Sequence, residues 1–204
     1  MRSPSPLLLQ RFGLSGLQAG SAAAVALAAL EAENRALRAA LAQAEAEAER
    51  DALTGLLNRR GLLRELARTI AQAERGRRPA GVLFADVDAF KSLNDRFGHG
   101  AGDAALRHVA GLLRAHVRLE DAAARLGGDE FVVVLDWAGA GAVEAKAAEL
   151  ARRVEAEPFL HEGIAHTLKL SIGAAQVQPG DDPERVLARA DAAMYAAKHQ
   201  DQRR

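Results

Sequence analysis

Hydrophobic residues along the chain fall into stripes at helical spacing and into short continuous runs. From about Ser21 to Arg50 there is no proline or glycine, and the strong helix formers Ala, Leu, Glu, Gln and Arg dominate, so this segment predicts one long helix. Further along, apolar runs bounded by glycine and polar residues alternate with amphipathic stretches. This alternation predicts an α+β fold, in which a mixed central sheet carries helices on its faces.

Caps, turns and periodicity place the individual elements. Residues 81–87 are almost uniformly apolar, which predicts a strand buried on both faces. Asn58 is a good N-cap for a helix that carries Leu62, Leu66 and Ile70. The other predicted elements are a helix after Asp88, a helix opening at Asp103, a hairpin turning at Gly127–Gly128, a helix over 142–157, a strand over 167–177 and a final helix over 190–198.

The N-terminal helix carries a heptad seam, with Leu27, Asn34 and Leu41 at a positions and Leu30 and Leu37 at d positions. A lone asparagine at an a position is typical of a two-stranded parallel coil, where it fixes the register. The seam therefore predicts a dimeric coiled coil. The alternative is a single amphipathic helix that lies on its own domain.

Composition and charge narrow the function classes. The chain has 204 residues, enough for one domain and an appendage. Its 27 basic and 27 acidic residues balance, which argues against bulk attraction to nucleic acid or acidic membranes. It has no cysteine, so disulfides and thiolate sites are excluded. The apolar run over 22–30 is too short to span a bilayer, and the leucines at 7–9 form at most a poor signal peptide.

The stretch 125–135 reads Arg-Leu-Gly-Gly-Asp-Glu-Phe, then Val-Val-Val-Leu. Two glycines between apolar runs predict a tight hairpin, because glycine tolerates the positive φ of such turns. Asp129 and Glu130 follow the turn at once, and neighbouring carboxylates can hold divalent metals that neutralise a bound anion. On this stretch alone, a solvated turn with two exposed acids is the alternative.

A second acidic pair, Asp86 and Asp88, ends the predicted strand over 81–87. Side chains alternate along a strand, so acids two residues apart point the same way. Asp-x-Asp by itself is a weak metal signal, but beside Asp129 and Glu130 it indicates a carboxylate cluster. Downstream, residues 97–103 read Phe-Gly-His-Gly-Ala-Gly-Asp.

Together these stretches resemble the GGDEF-domain diguanylate cyclases, which make cyclic di-GMP from two GTP. Residues 51–60 are similar to the family's D-x-L-T-G-L-x-N-R-R, residues 171–173 to its S-I-G, and residues 190–198 to its closing A-D-x-A-x-Y-x-A-K. The resemblance covers roughly residues 50–200. It implies a fold related to nucleotide cyclases and the polymerase palm, GTP as substrate, and Mg²⁺ or Mn²⁺ as cofactor, two ions per active site.

The resemblance implies roles for the acidic motifs. It assigns metal binding to Asp86, the Val87 backbone carbonyl and Asp129, whereas Asp88 and Glu130 either bind a second metal or support the first ligands. The implied catalytic residues are Asp129, Glu130 and Lys91, with Asp129 helping to deprotonate the attacking hydroxyl and Lys91 stabilising a phosphate.

The resemblance also implies substrate contacts, which fall at Phe90, Asn94, His99, Asp103, Gly127, Gly128 and Lys198. Asn94 and Asp103 would read guanine, because a carboxylate accepts hydrogen bonds from its N1–H and N2–H and an amide complements the remaining edge. Helix capping is the alternative for this pair, and a structural role is the alternative for His99.

Arg118 and Asp121 form an R-x-x-D pattern just before the predicted hairpin. Arginine can bind a phosphate or a guanine edge through two parallel hydrogen bonds. R-x-x-D is common by chance, but its offset from the two glycines matches the family, and the resemblance implies an inhibitory product site there.

The C-terminal segment departs from the family pattern. Asp201 and Gln202 stand where the family places glycine and then arginine, so a phosphate-binding arginine is missing there, and Arg203 or Arg204 is the candidate substitute. The expected organisation is a flexible leader over 1–20, a coiled-coil helix over 21–50, a cyclase-like domain over 51–200 and a tail over 201–204.

The expected protein is thus a cytoplasmic, product-inhibited diguanylate cyclase that acts as a homodimer. An upstream sensor protein is a further expected partner, whereas nucleic acid and a membrane span are not expected. The alternative is a non-catalytic cyclic di-GMP receptor that regulates a partner. The altered C-terminal segment favours this alternative, and the complete Gly-Gly-Asp-Glu turn opposes it.

Overall fold

The structure is a computed structural model that describes residues 22–76 and 78–201. The described residues form two compact units that divide between Ala48 and Glu49. The expectations for the leader over 1–20 and for Gln202, Arg203 and Arg204 lie outside the described residues.

The N-terminal unit is one helix, α1 (Ala22–Ala48), as its composition predicts. Leu30, Leu37 and Leu41 lie on the predicted heptad seam and are 60–63% exposed. Exposed leucines in a row are what a second helix would cover in a coiled coil, and the dimer stays a prediction. No helix within residues 22–76 and 78–201 combines the length and the apolar character that crossing a membrane requires.

The second unit is a four-stranded sheet between layers of helices, so the predicted α+β class is confirmed. The elements are α2 (Arg59–Gly76), β1 (Gly81–Val87), α3 (Phe90–His116), β2 (Ala122–Gly127), β3 (Glu130–Leu135), α4 (Ala140–Ala156), β4 (Phe159–His161), β5 (Ile164–His166), β6 (Leu170–Gln176) and α5 (Pro183–Asp201). The strand order in the sheet is β2-β3-β1-β6, and β4 and β5 form a separate hairpin.

The sheet is antiparallel throughout, whereas a mixed sheet was expected. Strands run both ways, but β3 lies between β1 and β2, which share a direction, so neighbouring strands all pair antiparallel. Among the described residues, parallel pairing is limited to one isolated bridge, between Leu57 and Ala124.

Side chains of β1 alternate between two apolar layers. Leu83 and Val87 pack with residues of α3 and α4, whereas Val82 and Phe84 pack with residues of α2 and α5. The strand is therefore buried on both faces, as its uniform apolar sequence predicts. β1 is one of the two inner strands of the sheet, and Asp86 and Val87 lie at its C-terminal end.

Two details differ from the predicted elements. The two helices expected after Asp88 and at Asp103 are the halves of α3, which is kinked at Gly98, where φ is 79° and ψ is 166°. Asp103 lies inside the second half and not at its first position, so it does not cap that helix. The predicted strand over 167–177 is β6, and the β4–β5 hairpin ahead of it has no counterpart among the predicted elements.

Candidate functional site

The antiparallel pairing of β1 and β3 brings the two acidic motifs together. Asp86, near the end of β1, lies opposite Glu130 at the start of β3. The Val87 backbone N–H donates to the carbonyl oxygen of Asp129 at 3.2 Å. Asp86, Val87, Asp129 and Glu130 therefore occupy one edge of the sheet.

The turn between β2 and β3 depends on its two glycines. Gly127 has a φ of 154° and Gly128 a φ of 51°, values that residues other than glycine rarely adopt. Both glycines are exposed, and a Cβ added at either would meet no atom within 4 Å. Open space over a backbone turn lets a large anion approach it closely.

Burial and neighbouring negative charges raise the pKa values of Asp129 and Glu130. Burial first, and then the negative charge of Asp86, raise the pKa of Asp129 above its ordinary value. Burial also raises the pKa of Glu130, with further repulsion from Asp129, Asp191 and Asp86. Groups that resist ionisation for these reasons are stabilised as anions when a cation binds beside them.

Lys198, on α5, supplies a positive charge to this edge by donating from Nζ to Oδ1 of Asp86. Burial alone would lower the pKa of Lys198, but the hydrogen bond to Asp86 and the charges of Asp86, Asp88 and Asp129 outweigh it, and the pKa is raised. An ammonium group thus stands among carboxylates that a metal ion could also neutralise.

The donor set at this edge fits a hard divalent cation. Within residues 22–76 and 78–201, no three or more His, Cys, Asp or Glu side chains converge as ready-made metal ligands. Mg²⁺, however, is commonly held by one or two carboxylates together with substrate phosphates and water. Asp86, Asp129 and a backbone carbonyl are oxygen donors of that kind.

Asp88 has its own partners within the fold. Its Oδ1 accepts a hydrogen bond from the Ser171 hydroxyl at 2.7 Å, and its backbone N–H donates to the carbonyl oxygen of Lys169 at 3.0 Å. Ser171 belongs to the Ser-Ile-Gly stretch of β6. These contacts tie the segment after β1 to the neighbouring strand.

The residues predicted to contact the base lie on the two halves of α3. Asn94 and Phe90, on the first half, face Gly102 on the second half. The Asn94 Oδ1 is buried and has no hydrogen-bond partner among the described residues. Asp103 is half exposed, and its Oδ2 lies 3.7 Å from Nη2 of Arg107. Asn94 and Asp103 thus flank the kink of the helix.

Lys91 and His99 are exposed on α3, with Lys91 at the first turn and His99 directly after the kink. Lys91 and Asn94 are three residues apart and share a helix face. Within residues 22–76 and 78–201 neither Lys91 nor His99 forms an ion pair or a hydrogen bond, and their contacts with substrate remain predictions.

Arg118 and Asp121 line a cavity of about 720 Å³. Other charged residues that line it are Arg50, Glu65, Arg68, Arg114 and Glu120. Asp121 accepts backbone hydrogen bonds from Arg118 at 2.9 Å and from Asp136 at 3.1 Å, so it fixes the loop that carries Arg118. The loop leads into one end of β2, and the two-glycine turn lies at the other end, roughly 17–20 Å away for a strand of this length.

The sequence interpretation gave no role to Arg125, which links two of the motifs. Its guanidinium donates to the Gly128 carbonyl and to the Asp51 carboxylate. Burial works against ionisation of Asp51, but hydrogen bonds from Thr54 and the charge of Arg125 outweigh it and lower the pKa of Asp51. An arginine directly before a two-glycine turn is the signal that could have suggested this role.

Comparison with known proteins agrees with this geometry. The sequence profile described as "Diguanylate cyclase, GGDEF domain" matches residues 48–204. Diguanylate cyclase DosC of Escherichia coli (strain K12) is 42% identical over 155 residues, which cover 76% of this chain and 34% of that protein. Diguanylate cyclase TpbB of Pseudomonas aeruginosa (strain UCBPP-PA14) is 40% identical over 152 residues, which cover 74% of this chain and 35% of that protein. The chain thus spans about a third of the length of these curated relatives.

Solved structures show the same fold. The coiled coil and GGDEF domain of DgcB from Caulobacter crescentus, in complex with c-di-GMP, matches with a TM-score of 0.77 at 32% identity, and the match covers 88% of this chain and 96% of that one. A sensory box/GGDEF family protein from the same organism matches with a TM-score of 0.70 at 40% identity, over 74% of this chain and 99% of that one. By the extent of the profile match and by these relatives, the chain belongs to the GGDEF family of diguanylate cyclases.

Proposed function

We propose that this chain is a metal-dependent diguanylate cyclase that condenses two GTP into cyclic di-GMP and two pyrophosphates. Membership of the family supports this activity. The observation that carries the proposal is the meeting of Asp86, Asp129 and Lys198 at one sheet edge, beside the exposed two-glycine turn. Carboxylates and an ammonium group at such a place suit a triphosphate with its counter-ions.

The reaction consists of two equivalent displacements. In each, the 3′-hydroxyl oxygen of one GTP attacks the α-phosphorus of the other, while the bond from that phosphorus to the bridging oxygen of the β-phosphate breaks and pyrophosphate leaves. The hydroxyl proton passes to a base, for which the Asp129 carboxylate, directly after the two-glycine turn, is the candidate.

Different residues of the chain bind the metal ions, the phosphates and the base of GTP. Asp86, the Val87 carbonyl and Asp129, with Glu130 beside them, would hold two Mg²⁺ or Mn²⁺ ions, which when bound supply charge neutralisation for the attacking and leaving oxygens. Lys198 and Lys91 add positive charge for the phosphates, and the turn at Gly127 and Gly128 admits them to the backbone. The guanine base lies at the kink of α3, where its edge meets Asn94 and Asp103.

A homodimer completes the reaction, because each chain holds one GTP and two are joined. The two domains meet face to face across a two-fold axis. Pairing of α1 as a parallel coiled coil would raise the concentration of one domain near the other. The exposed leucines of its heptad seam support this pairing.

The direct test is to incubate the protein with GTP and Mg²⁺ and to measure cyclic di-GMP and pyrophosphate. We expect two pyrophosphates for each cyclic di-GMP formed, and turnover at least about 10²-fold slower in the Asp129→Asn variant. Glu144→Gln is the control, because Glu144 is an exposed acid of α4 and follows Val143, which contacts Gly81 at the opposite end of β1 from Asp86. Equal turnover by native protein and Asp129→Asn would refute the proposed site.

The cavity at Arg118 and Asp121 supports binding of the product at a second place. Several arginines around a space of about 720 Å³ suit a dianionic cyclic dinucleotide, and binding there would inhibit the enzyme. The same cavity would serve a receptor that binds cyclic di-GMP without making it. Tight binding of cyclic di-GMP by a protein that forms none from GTP would establish that second function instead.

A further inference from the structure

Gly102, on the second half of α3, faces Asn94 and Phe90 on the first half, two residues predicted to contact the substrate. A Cβ added at Gly102 would lie 2.0 Å from Oδ1 of Asn94, 2.9 Å from its Cγ and 3.1 Å from Cζ of Phe90. Gly102 is itself buried. The missing side chain at this position therefore makes the space that the Asn94 carboxamide occupies.

Packing, and not a hydrogen bond, fixes the oxygen of this carboxamide. Oδ1 of Asn94 is buried and has no hydrogen-bond partner within residues 22–76 and 78–201. A side chain at position 102 would meet both this oxygen and the ring of Phe90. The kink at Gly98 turns the second half of the helix so that residue 102 faces residue 94.

We propose that Gly102 is a positioning residue that sets the preference of the site for guanine by fixing Asn94. This inference rests on the proposed function. This packing closes off Oδ1, so the NH2 group of the carboxamide, which is not buried, is left to meet a bound base. The O6 atom of guanine accepts a hydrogen bond from such a donor, whereas adenine carries an amino group at that position and leaves the donor unpaired.

The consequence is a change of selectivity and not only of stability. With alanine at position 102, the Asn94 carboxamide must leave its place, so hydrogen bonds to guanine are lost or misdirected while the phosphate end, at Asp86 and Asp129, is untouched. If Gly102 served only the packing of α3, the variant would alter stability and leave the choice of base unchanged.

The test measures binding of unreactive nucleotides by calorimetry, with 3′-deoxy-GTP and 3′-deoxy-ATP in the presence of Mg²⁺. We expect Gly102→Ala to weaken 3′-deoxy-GTP binding roughly ten-fold or more, as loss of one or more base hydrogen bonds implies, and to leave 3′-deoxy-ATP binding within about two-fold. Gly111→Ala is the matched control, because Gly111 is an exposed glycine of the same helix with nothing within 4 Å of an added Cβ. It should leave both affinities unchanged.

A double-variant cycle separates positioning from general damage. Asn94→Ala removes the carboxamide that an added Cβ would meet, so Asn94→Ala/Gly102→Ala should fold and bind 3′-deoxy-GTP as weakly as Asn94→Ala alone. A further large loss in the double variant, or a guanine preference retained by Gly102→Ala, would overturn the inference while leaving the cyclase activity intact. A native protein that binds both nucleotides equally would overturn it together with the proposed substrate.

Discussion

Arg125 holds the carbonyl oxygen of Gly128 with two hydrogen bonds, from Nε at 3.0 Å and from Nη2 at 2.7 Å. Its remaining nitrogen, Nη1, lies 3.3 and 3.2 Å from the two carboxylate oxygens of Asp51. The Arg125 side chain is 13% exposed and that of Asp51 21%, so the ion pair is largely shielded from water, whereas the turn at Gly128 is exposed. One guanidinium thus fixes a peptide group of the two-glycine turn and joins it to the first turn of the domain.

Replacing Arg125 with lysine should damage the turn more than the charge balance. Lysine keeps the attraction to Asp51 but cannot donate two parallel hydrogen bonds to one carbonyl. We expect the free energy of unfolding to fall by about 1–3 kcal/mol and cyclic di-GMP formation to fall at least about ten-fold. Urea unfolding and initial rates measure the two effects. Arg153→Lys, at an exposed ion pair of α4, is the control and should alter neither.

Asp129→Asn should separate catalysis from stability. Because burial and Asp86 raise the pKa of Asp129, its ionised form is less favourable in the folded than in the unfolded chain, and at neutral pH it lowers stability. A neutral amide should therefore leave the free energy of unfolding unchanged or slightly higher, while turnover falls by about 10²–10⁴-fold. Chemical denaturation and pyrophosphate release measure the two. A strongly destabilised variant would indicate a structural role for the carboxylate.

Arg118→Ala should relieve product inhibition without slowing the uninhibited reaction. The residue lines the cavity at the far end of β2 from the two-glycine turn, so its loss removes a phosphate or guanine contact there and leaves the turn intact. We expect the cyclic di-GMP concentration that halves the rate to rise at least about ten-fold. Initial rates across added product measure it, with Arg153→Ala as the control. An unaltered inhibition curve would count against product binding at Arg118.

The first strand of the central sheet could be predicted because a strand buried on both faces has a run of consecutive apolar residues. Residues 81–87 are almost uniformly apolar, and β1 has these bounds. The β4–β5 hairpin could not be predicted in this way. Its strands have three residues each, and Leu160 and Ile164 are exposed, so no alternation of buried and exposed positions marks them.

Some residues of the candidate site could likewise be predicted from local motifs, and others could not. Asp86 and Asp129 each lie at a strand end, and antiparallel pairing of those strands brings them to one edge, which local motifs could indicate. The contacts of Arg125 with Asp51 and of Lys198 with Asp86 join residues 74 and 112 positions apart. Spacing along the chain carries no information about such pairs, because the packing of distant elements creates them.

The ion pair of Asp181 and Arg189 should make the free energy of unfolding fall at acidic pH. The hydrogen bond from Arg189 is the main cause of the lowered pKa of Asp181, whose side chain is only 6% exposed. A carboxyl whose folded pKa lies below its unfolded value of 3.8 stabilises the fold above pH 3.8, and this contribution is lost as the pH falls through the folded pKa. Asp181→Asn should therefore lower the free energy of unfolding by roughly 1–2 kcal/mol at pH 7 and by less near pH 3.

Urea unfolding of both proteins at several pH values tests this dependence. Glu144→Gln, at an exposed acid of α4, serves as the control. A difference between native protein and Asp181→Asn that stays constant from pH 7 to pH 3 would contradict the assigned cause.

Breaking the heptad seam of α1 should make activity depend on protein concentration. Leu37 is 63% exposed at a d position, and an aspartate there would place charge inside a coiled-coil interface. We expect Leu37→Asp to be monomeric by sedimentation velocity at micromolar concentration and to lose most of its specific activity, because the reaction joins nucleotides held by two chains. Raising the concentration should restore that activity, since the tether only increases the local concentration of the second domain. Ala39→Asp, at the outward f position, should behave as the native protein does. Dimers of Leu37→Asp with native activity would mean that another surface holds the two chains together.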